Sequence, residues 1–300
     1  MNPYLYTQTE VLATLRTLLM EPTAERWTDI QLYSAMSIAL QSWQGRVRVP
    51  YIYNITGGWV SGTYDYILPD YVDKRTVQPQ AKVSGWDSIE GIITSGSETW
   101  ADIQAFTVEP NETGGFVLRL SYSNPRSSLI GASSEGRAIW WGQQLQVPTT
   151  VPALAVTITD SDTSLSIATV GTKPAYGRVG YVKVDSEWIG YSGYTEATST
   201  MTLTNLVRGL NGTTAAAHTA GASVTWGVGM DTPALLNALY DGTRVYLMQM
   251  WLSNPSSRET ASYEKQLVLY QKNLDRFWKG YTPSRPLRSR LSRMTIGDNI

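Results

Sequence analysis

Residues 180–194, GYVKVDSEWIGYSGY, and 203–224, LTNLVRGLNGTTAAAHTAGASV, decide how the middle of this 300-residue chain is read. Both are short β-rich runs broken at glycine and asparagine, and the Asn211-Gly212 pair is a turn signal. The same texture extends from about Pro152 to Val228. LAVTI, SLSIATV, GYVKVD, EWIGYSGY, TMTLTNL and ASVTWGV are candidate strands rich in Thr, Ser, Ala and Gly. Turn signals at this short spacing predict a sandwich or barrel. The segment carries little charge and looks self-contained, so residues 149–229 are expected to form an inserted all-β module.

On its N-terminal side, residues 47 to about 147 also read as strand. VRVPYIYNI, TYDYILP, GWDSIEGI, TWADIQAFTV and GGFVLRLSY are short and bounded by Gly, Pro or Asn. Asn111–Gly115 (NETGG) is the expected hairpin loop. These runs predict an antiparallel region rather than a βαβ array.

Helical signals occupy the two ends. Thr7 and Glu10 have capping-box spacing, with Tyr6 and Val11 placed as a staple, and Leu12, Leu15 and Leu19 follow at helical intervals. Thr28 and Gln31 repeat the box, Trp27 and Leu32 the staple, and Leu32, Met36, Leu40 and Trp43 share one face. Two such helices predict a helical hairpin. Downstream, Thr232 is the expected cap and Pro233 the first helical residue of ALLNALYDGTRVYLMQMWL. Ser256 and Glu259 form a third box before a long helix with Tyr263, Leu267, Tyr270, Leu274 and Trp278 on one face. The expected fold class is therefore α+β: N- and C-terminal helices in one bundle, an antiparallel β region and the inserted β module. The core would comprise residues 1–148 with 230–300, closed by an extended arm over 281–300.

Composition narrows the chemistry. There is no cysteine, which excludes disulfides, a thiolate nucleophile and Cys-based zinc. His218 is the single histidine, so a centre built on several imidazoles is impossible. A net charge of −1 argues against a generally basic nucleic-acid binder. No apolar run approaches the ~20 residues of a membrane span, and no secretory leader is visible at MNPYLYTQTE. The sequons at Asn54, Asn111 and Asn211 read as turn or loop residues. With 11 Trp and 18 Tyr against 3 Phe, the aromatics suit half-wet surfaces, and an assembly subunit and a carbohydrate binder fit equally.

His218 with Glu187 and a serine would be a hydrolytic set, but no G-x-S-x-G elbow accompanies them, so His218 is expected to hydrogen-bond within a loop. Asp185 and Glu187 lie at alternate positions of a strand and are expected on a solvated face rather than as a glycosidase pair. Asp160–Ser164 lacks the Gly and Glu of an EF-hand loop and is expected to be a turn. No catalytic, metal or cofactor set is expected. Trp100, Trp140 and Trp141 are read as interface or core aromatics in preference to a sugar platform.

The helical pair ERWTDIQLYSAMSIALQSW (25–43), the strand TYDYILPDYV (63–72) and the closing stretch from Ala234 to Arg288 together resemble tailed-bacteriophage head-to-tail adaptor (connector) proteins. The resemblance covers roughly residues 1–148 and 230–290. The module resembles a small β unit of phage virion proteins: Glu187, Trp188 and Tyr191 match its first motif, and Arg208, Gly209, Gly212, Thr213, His218 and Gly221 its second. Many adaptors lack this unit, so the chain would be an elaborated version.

The resemblance implies a structural virion protein of the neck, assembled in the host cytoplasm. Copies would form a ring, commonly dodecameric, beneath the portal protein. The ring would meet a tail or stopper protein and pass double-stranded DNA without reading its sequence. Trp278, Tyr281, Arg285, Arg288, Arg290 and Arg293 are the expected portal-binding residues. The alternative is a tail or baseplate protein that binds host-surface glycans through the module.

Overall fold

A computed structural model describes residues 4–21, 23, 26–43, 46–60, 62–83, 99–103, 106–120, 133–142, 144, 147–168, 178–253 and 260–281. They form two compact units. One holds the described residues up to Tyr51 together with Gly142 and those after it; the other is Ile52–Trp141.

The first unit begins with strand β1 (Tyr4–Thr7), which runs directly into helix α1 (Gln8–Leu18). Thr7 ends the strand and caps the helix: its Oγ1 accepts from Glu10 N at 3.1 Å, and Glu10 Oε2 accepts from Thr7 N at 2.8 Å. Helix α2 (Asp29–Ser42) opens on the same device, with Thr28 Oγ1 accepting from Gln31 N at 3.3 Å. Helices α3 (Ala234–Leu252) and α4 (Thr260–Gly280) complete the helical layer, in which α2 packs on α3 and α3 on α4.

Leu32, Met36, Leu40 and Trp43 of the second helical stretch are all buried there. Thr232 does not cap α3. Its hydroxyl has no hydrogen-bond partner among the described residues, Pro233 takes the cap position, and main-chain bonds such as Leu235 N to Thr232 O close the first turn. Ser256 and Glu259 lie outside the described residues.

The remaining strands of this unit make two sheets. Strands β12 (Val179–Val184), β13 (Glu187–Ser192), β16 (Val207–Leu210) and β17 (Val224–Met230) join β1 in the order β1-β17-β12-β13-β16. Strands β11 (Ser164–Ala168), β14 (Tyr194–Glu196) and β15 (Thr200–Thr204) pair as β11-β15-β14. Leu165, Ile167, Val182, Ile189, Tyr191, Leu203 and Trp226 fill a core drawn from both sheets.

Among its described residues, the Ile52–Trp141 unit has strands and no helix. It includes β3 (Trp59–Val60), β4 (Asp65–Leu68), β5 (Gln78–Val83), β6 (Thr99–Asp102), β7 (Phe106–Pro110), β8 (Phe116–Leu120), β9 (Ser133–Ser134) and most of β10 (Gly136–Gly142). Strand β2 (Val49–Asn54) heads the sheet β2-β10-β5-β6, beside the smaller sheets β4-β8-β7 and β3-β9. The β7–β8 hairpin turns over Asn111–Gly115, where Gly115 has φ +76° and an added Cβ would sit 2.4 Å from Leu68 O.

The expectation of an α+β fold carried by a helical bundle is overturned. The protein is mostly β, with four helices against seventeen strands in five antiparallel sheets among the described residues. The physical reason is one of extent: the four helices form, but the short strands take up more of the described chain, and α1 packs on β17 and β1 as well as on α2, because its buried face begins with a polar residue that bonds strand main chain. Gln8 is fully buried; its Nε2 donates to Thr150 O at 2.9 Å and its Oε1 accepts from Trp226 N at 3.1 Å. The β1–β17 ladder ends at Thr7↔Gly227, and the Gln8 side chain supplies the next bond along β17.

Gln8→Ala strands the buried Trp226 N–H, at a cost of about 1–3 kcal/mol, and also loses the bond to the carbonyl of the exposed Thr150, which water can replace. The variant should lose roughly 1–3 kcal/mol in urea unfolding, against less than about 1 kcal/mol for Thr9→Ala on the exposed side of the same turn.

Candidate functional site

The densest polar constellation among the described residues lies at one end of the β module. Strands β12 and β13 are joined by the two-residue turn Asp185-Ser186, with Val184 opposite Glu187 and Asp185 at φ +50°. A two-residue hairpin needs positive φ, which Asp tolerates because its short side chain bonds locally. The period-2 alternation of β13 then turns Glu187 to the interior, on the same face as Ile189 and Tyr191.

The Glu187 carboxylate is fully buried and fully occupied. Arg208 grips it in a fork, Nε to Oε1 and Nη2 to Oε2, both at 2.8 Å. The main-chain N–H groups of Gly209 and Ala216 donate to Oε1 and Oε2 at 3.0 and 3.1 Å. His218 Nε2 lies 2.8 Å from Oε2, and its Nδ1 lies 2.7 Å from Asp185 Oδ2. The imidazole thus bridges a buried and an exposed carboxylate. Arg208 also donates from Nη1 to the carbonyl of Thr159 and from Nη2 to that of Ala216, at 2.7 and 2.6 Å.

The glycines make this geometry possible. Gly209 has φ +63°, and a Cβ there would lie 3.0 Å from Thr213 O. Gly212 and Gly221 take φ +79° and +89° in the turns on either side of His218. Thr213 Oγ1 donates to Leu210 O and accepts from Trp188 N, locking the Asn211-Gly212 turn to β13.

Burial alone would raise the Glu187 carboxyl. The bonds from Arg208, His218, Ala216 N and Gly209 N outweigh it and hold the group at about 2. The Glu187 carboxylate is held and has no free oxygen to react: each of its oxygens already accepts from at least two donors. Such a cluster joins the loops around 159, 185, 208–216 and 218 into one piece.

All nine module-motif residues fall in or beside this structure. Glu187, Arg208, Gly209, Thr213 and His218 converge, and Gly212 and Gly221 shape the loops. Trp188 is buried beneath Lys183, whose Nζ is 5.6 Å from its ring centroid, and Tyr191 meets Trp226 edge-on at 6.2 Å in the core. Sequence reading missed the contributions of Thr159 and Ala216. Both act through main-chain atoms, which leave no side-chain signal. Asp185 keeps the expected exposure, whereas Glu187 does not share its solvated face, because it lies inside the ion pair. In the Asp160–Ser164 stretch, Asp162 Oδ2 accepts from Thr159 N at 2.6 Å and closes a turn.

The residues expected to bind a portal are divided. Trp278 packs edge-on against Trp43, centroids 5.4 Å apart, and Tyr281 donates its hydroxyl to Asp231 Oδ2 at 2.6 Å. Burial and the adjacent Asp231 carboxylate push the Tyr281 phenol far up. Both side chains are therefore engaged in the chain's own helical layer. Arg285, Arg288, Arg290 and Arg293 lie outside the described residues. Trp140 and Trp141 are buried and offer no flat sugar platform, while Trp100 is half-buried under Arg137. Among the described residues, no group of three or more His, Asp or Glu side chains is placed to hold a metal, and no helix is long and apolar enough to cross a membrane.

Comparison with family models, curated proteins and solved structures returned no match.

A carboxyl held below its ordinary value of 4.5 stabilises the fold above that pH and loses the contribution as pH falls toward about 2. Glu187 should therefore add on the order of 3 kcal/mol at pH 7 that drains away between about pH 4.5 and pH 2. Chemical denaturation of the wild type at pH 7 and pH 3 should show the loss, and Glu187→Gln should remove most of this difference. An unchanged pH dependence in Glu187→Gln would assign the acid sensitivity elsewhere. His218→Gln retains one donor and should cost only about 1–2 kcal/mol; a hydrolytic activity abolished by that change would contradict a holding role.

Proposed function

We propose that this chain is a structural protein of the tailed-phage virion, a head-to-tail adaptor. It would dock beneath the portal protein as a homo-oligomeric ring, extend the DNA channel and present a surface to a tail or stopper protein. The work is binding and geometry. The observation that carries this reading is the joining of the chain's two helical ends: Trp43 of the first helical pair meets Trp278 of the closing helix, and both belong to one core with Leu32, Met36, Leu239 and Leu247. These are the stretches that carry the resemblance to adaptors. The saturated Glu187–Arg208–His218 cluster suits the same reading, since it stiffens the module without exposing a reactive group.

The glycan-binding alternative is less well supported. It relies on aromatic faces open to solvent, and Trp140, Trp141, Trp188 and Trp226 are buried.

On this reading the four arginines anchor the ring to acidic portal surface through charge-assisted, bidentate bonds. Because Tyr281 is bonded to Asp231, a clean truncation starts at Thr282. The truncated chain should unfold at the same urea midpoint as the full chain yet fail to join portal-containing heads in a sedimentation assay. Negative-stain images of the full chain should show rings with an axial hole. Truncated protein that completes heads at normal occupancy would move the anchor to the helix faces. A monodisperse monomer that binds a glycan array would replace the adaptor reading altogether.

A further inference from the structure

A second polar site lies in the Ile52–Trp141 unit, on the sheet β2-β10-β5-β6. Register places Arg137 of β10 opposite Gln80 of β5, and Gln80 opposite Asp102 of β6, so three polar side chains form a row across three strands. The row is bonded in sequence: Arg137 Nε donates to Gln80 Oε1 at 2.8 Å, and Gln80 Nε2 donates to Asp102 Oδ1 at 2.7 Å. Gln80 thereby stands between the Asp102 carboxylate and the guanidinium. Lys82, the next cation on the same face of β5, is matched by Glu135 at 3.0 Å.

Arg137 has no such match. It is only 8% exposed, and among the described residues the bond from Nε is its single hydrogen bond. Its plane lies over the half-buried Trp100 ring, 4.0 Å from the centroid, which fixes the direction of the fork. A buried guanidinium stays charged at neutral pH and is costly without a counter-charge. Burial draws it down to about 10, with Asp102 only partly opposing the effect. Stacking on tryptophan recovers part of that cost, but the Nη1–Nη2 edge makes no bond to any described residue.

The geometry points to Arg137 as the receiving fork of a carboxylate-binding site, with Nη1 and Nη2 donating in parallel to the two oxygens and Trp100 holding the fork flat. The planar two-point donor selects a planar two-point acceptor. A free carboxylate ligand and an Asp or Glu side chain of a partner protein share this chemistry. The inference does not depend on the adaptor reading.

The test melts the full chain at pH 7 in sodium acetate and in sodium chloride at matched ionic strength. Acetate should raise the midpoint saturably over chloride in the wild type. Arg137→Met fills similar volume without a charge and should melt no lower than the wild type in chloride, with no acetate-specific rise. Arg137→Lys keeps the charge but loses the fork, and should need about tenfold more acetate for half its effect; it serves as the test if the Met variant does not fold. A short glutamate-rich peptide, titrated by calorimetry, separates the sources: binding at least tenfold tighter than acetate, lost in the variants, assigns the carboxylate to a protein partner. Comparable binding assigns it to a small ligand. An acetate response equal in wild type and variants, or absent from the wild type, overturns the site.

Discussion

Strand β17 is held on both edges, and the rest of its unit depends on what those two pairings demand. Along one edge Val182–Val184 of β12 pair with Val224–Trp226, and along the other Tyr4–Thr7 pair with Gly227–Met230. Alternation puts Val224, Trp226, Val228 and Met230 on a single face. The first two enter the module core, and the last two enter the helical core. The opposite face must be nearly bare. An added Cβ at Gly227 would lie 2.7 Å from Tyr181, and one at Gly229 would lie 2.7 Å from Val49. Tyr181 uses that space to stack on Tyr51 and to bond Pro50 O. A side chain at either glycine would push the tyrosine pair off the strand.

The two buried charged clusters show opposite solutions to one problem. Removing an ion from water costs several kcal/mol unless its hydrogen-bonding groups are paired. Glu187 meets that condition five times over, and the module gains a rigid end. Arg137 meets it once by hydrogen bond and once by an aromatic face. Two buried ions of similar exposure therefore differ in what remains available for chemistry. Burial by itself does not separate a structural charge from one that awaits a partner; the count of bonds does.

Local signals in the sequence carried well. Both N-terminal capping boxes form, the Asn111–Gly115 loop turns a hairpin, and the face of α2 is buried where its spacing implies. Each of those depends on residues within a few positions of one another. The misreadings depend on distant partners. Tyr4–Thr7 gives no strand signal of its own, because its pairing is supplied by residues 227–230. Gln8 gives no burial signal of its own until β17 is beside it, and so the contact of α1 with the sheet was not foreseen. Counting helices at both termini overstated the bundle, since short strands dispersed through the chain occupy more of it than their weak individual signals implied. For the module, spacing placed the motif residues in loops and strands but left Glu187 beside Asp185. The hairpin turn, which puts one carboxyl in solvent and the other in the core, is a matter of φ at Asp185. The Arg137–Gln80–Asp102 row was invisible for the same reason: it exists only once three strands are in register.

The β1–β17 pairing also sets an order of events during synthesis. Tyr4 leaves the ribosome long before Met230, its ladder partner, has been made. At about 5–20 residues per second that interval is roughly 10–45 s. Throughout it, the apolar side of α1, with Val11 and Leu15, has no sheet to rest on, and β1 is an unpaired edge. The Ile52–Trp141 unit, by contrast, lies wholly between these two partners and can close while they are apart. Residues 4–7 are thus synthesised well before the strand they pair with, and the nascent chain carries them as a sticky, unpaired segment until residues 227–230 arrive.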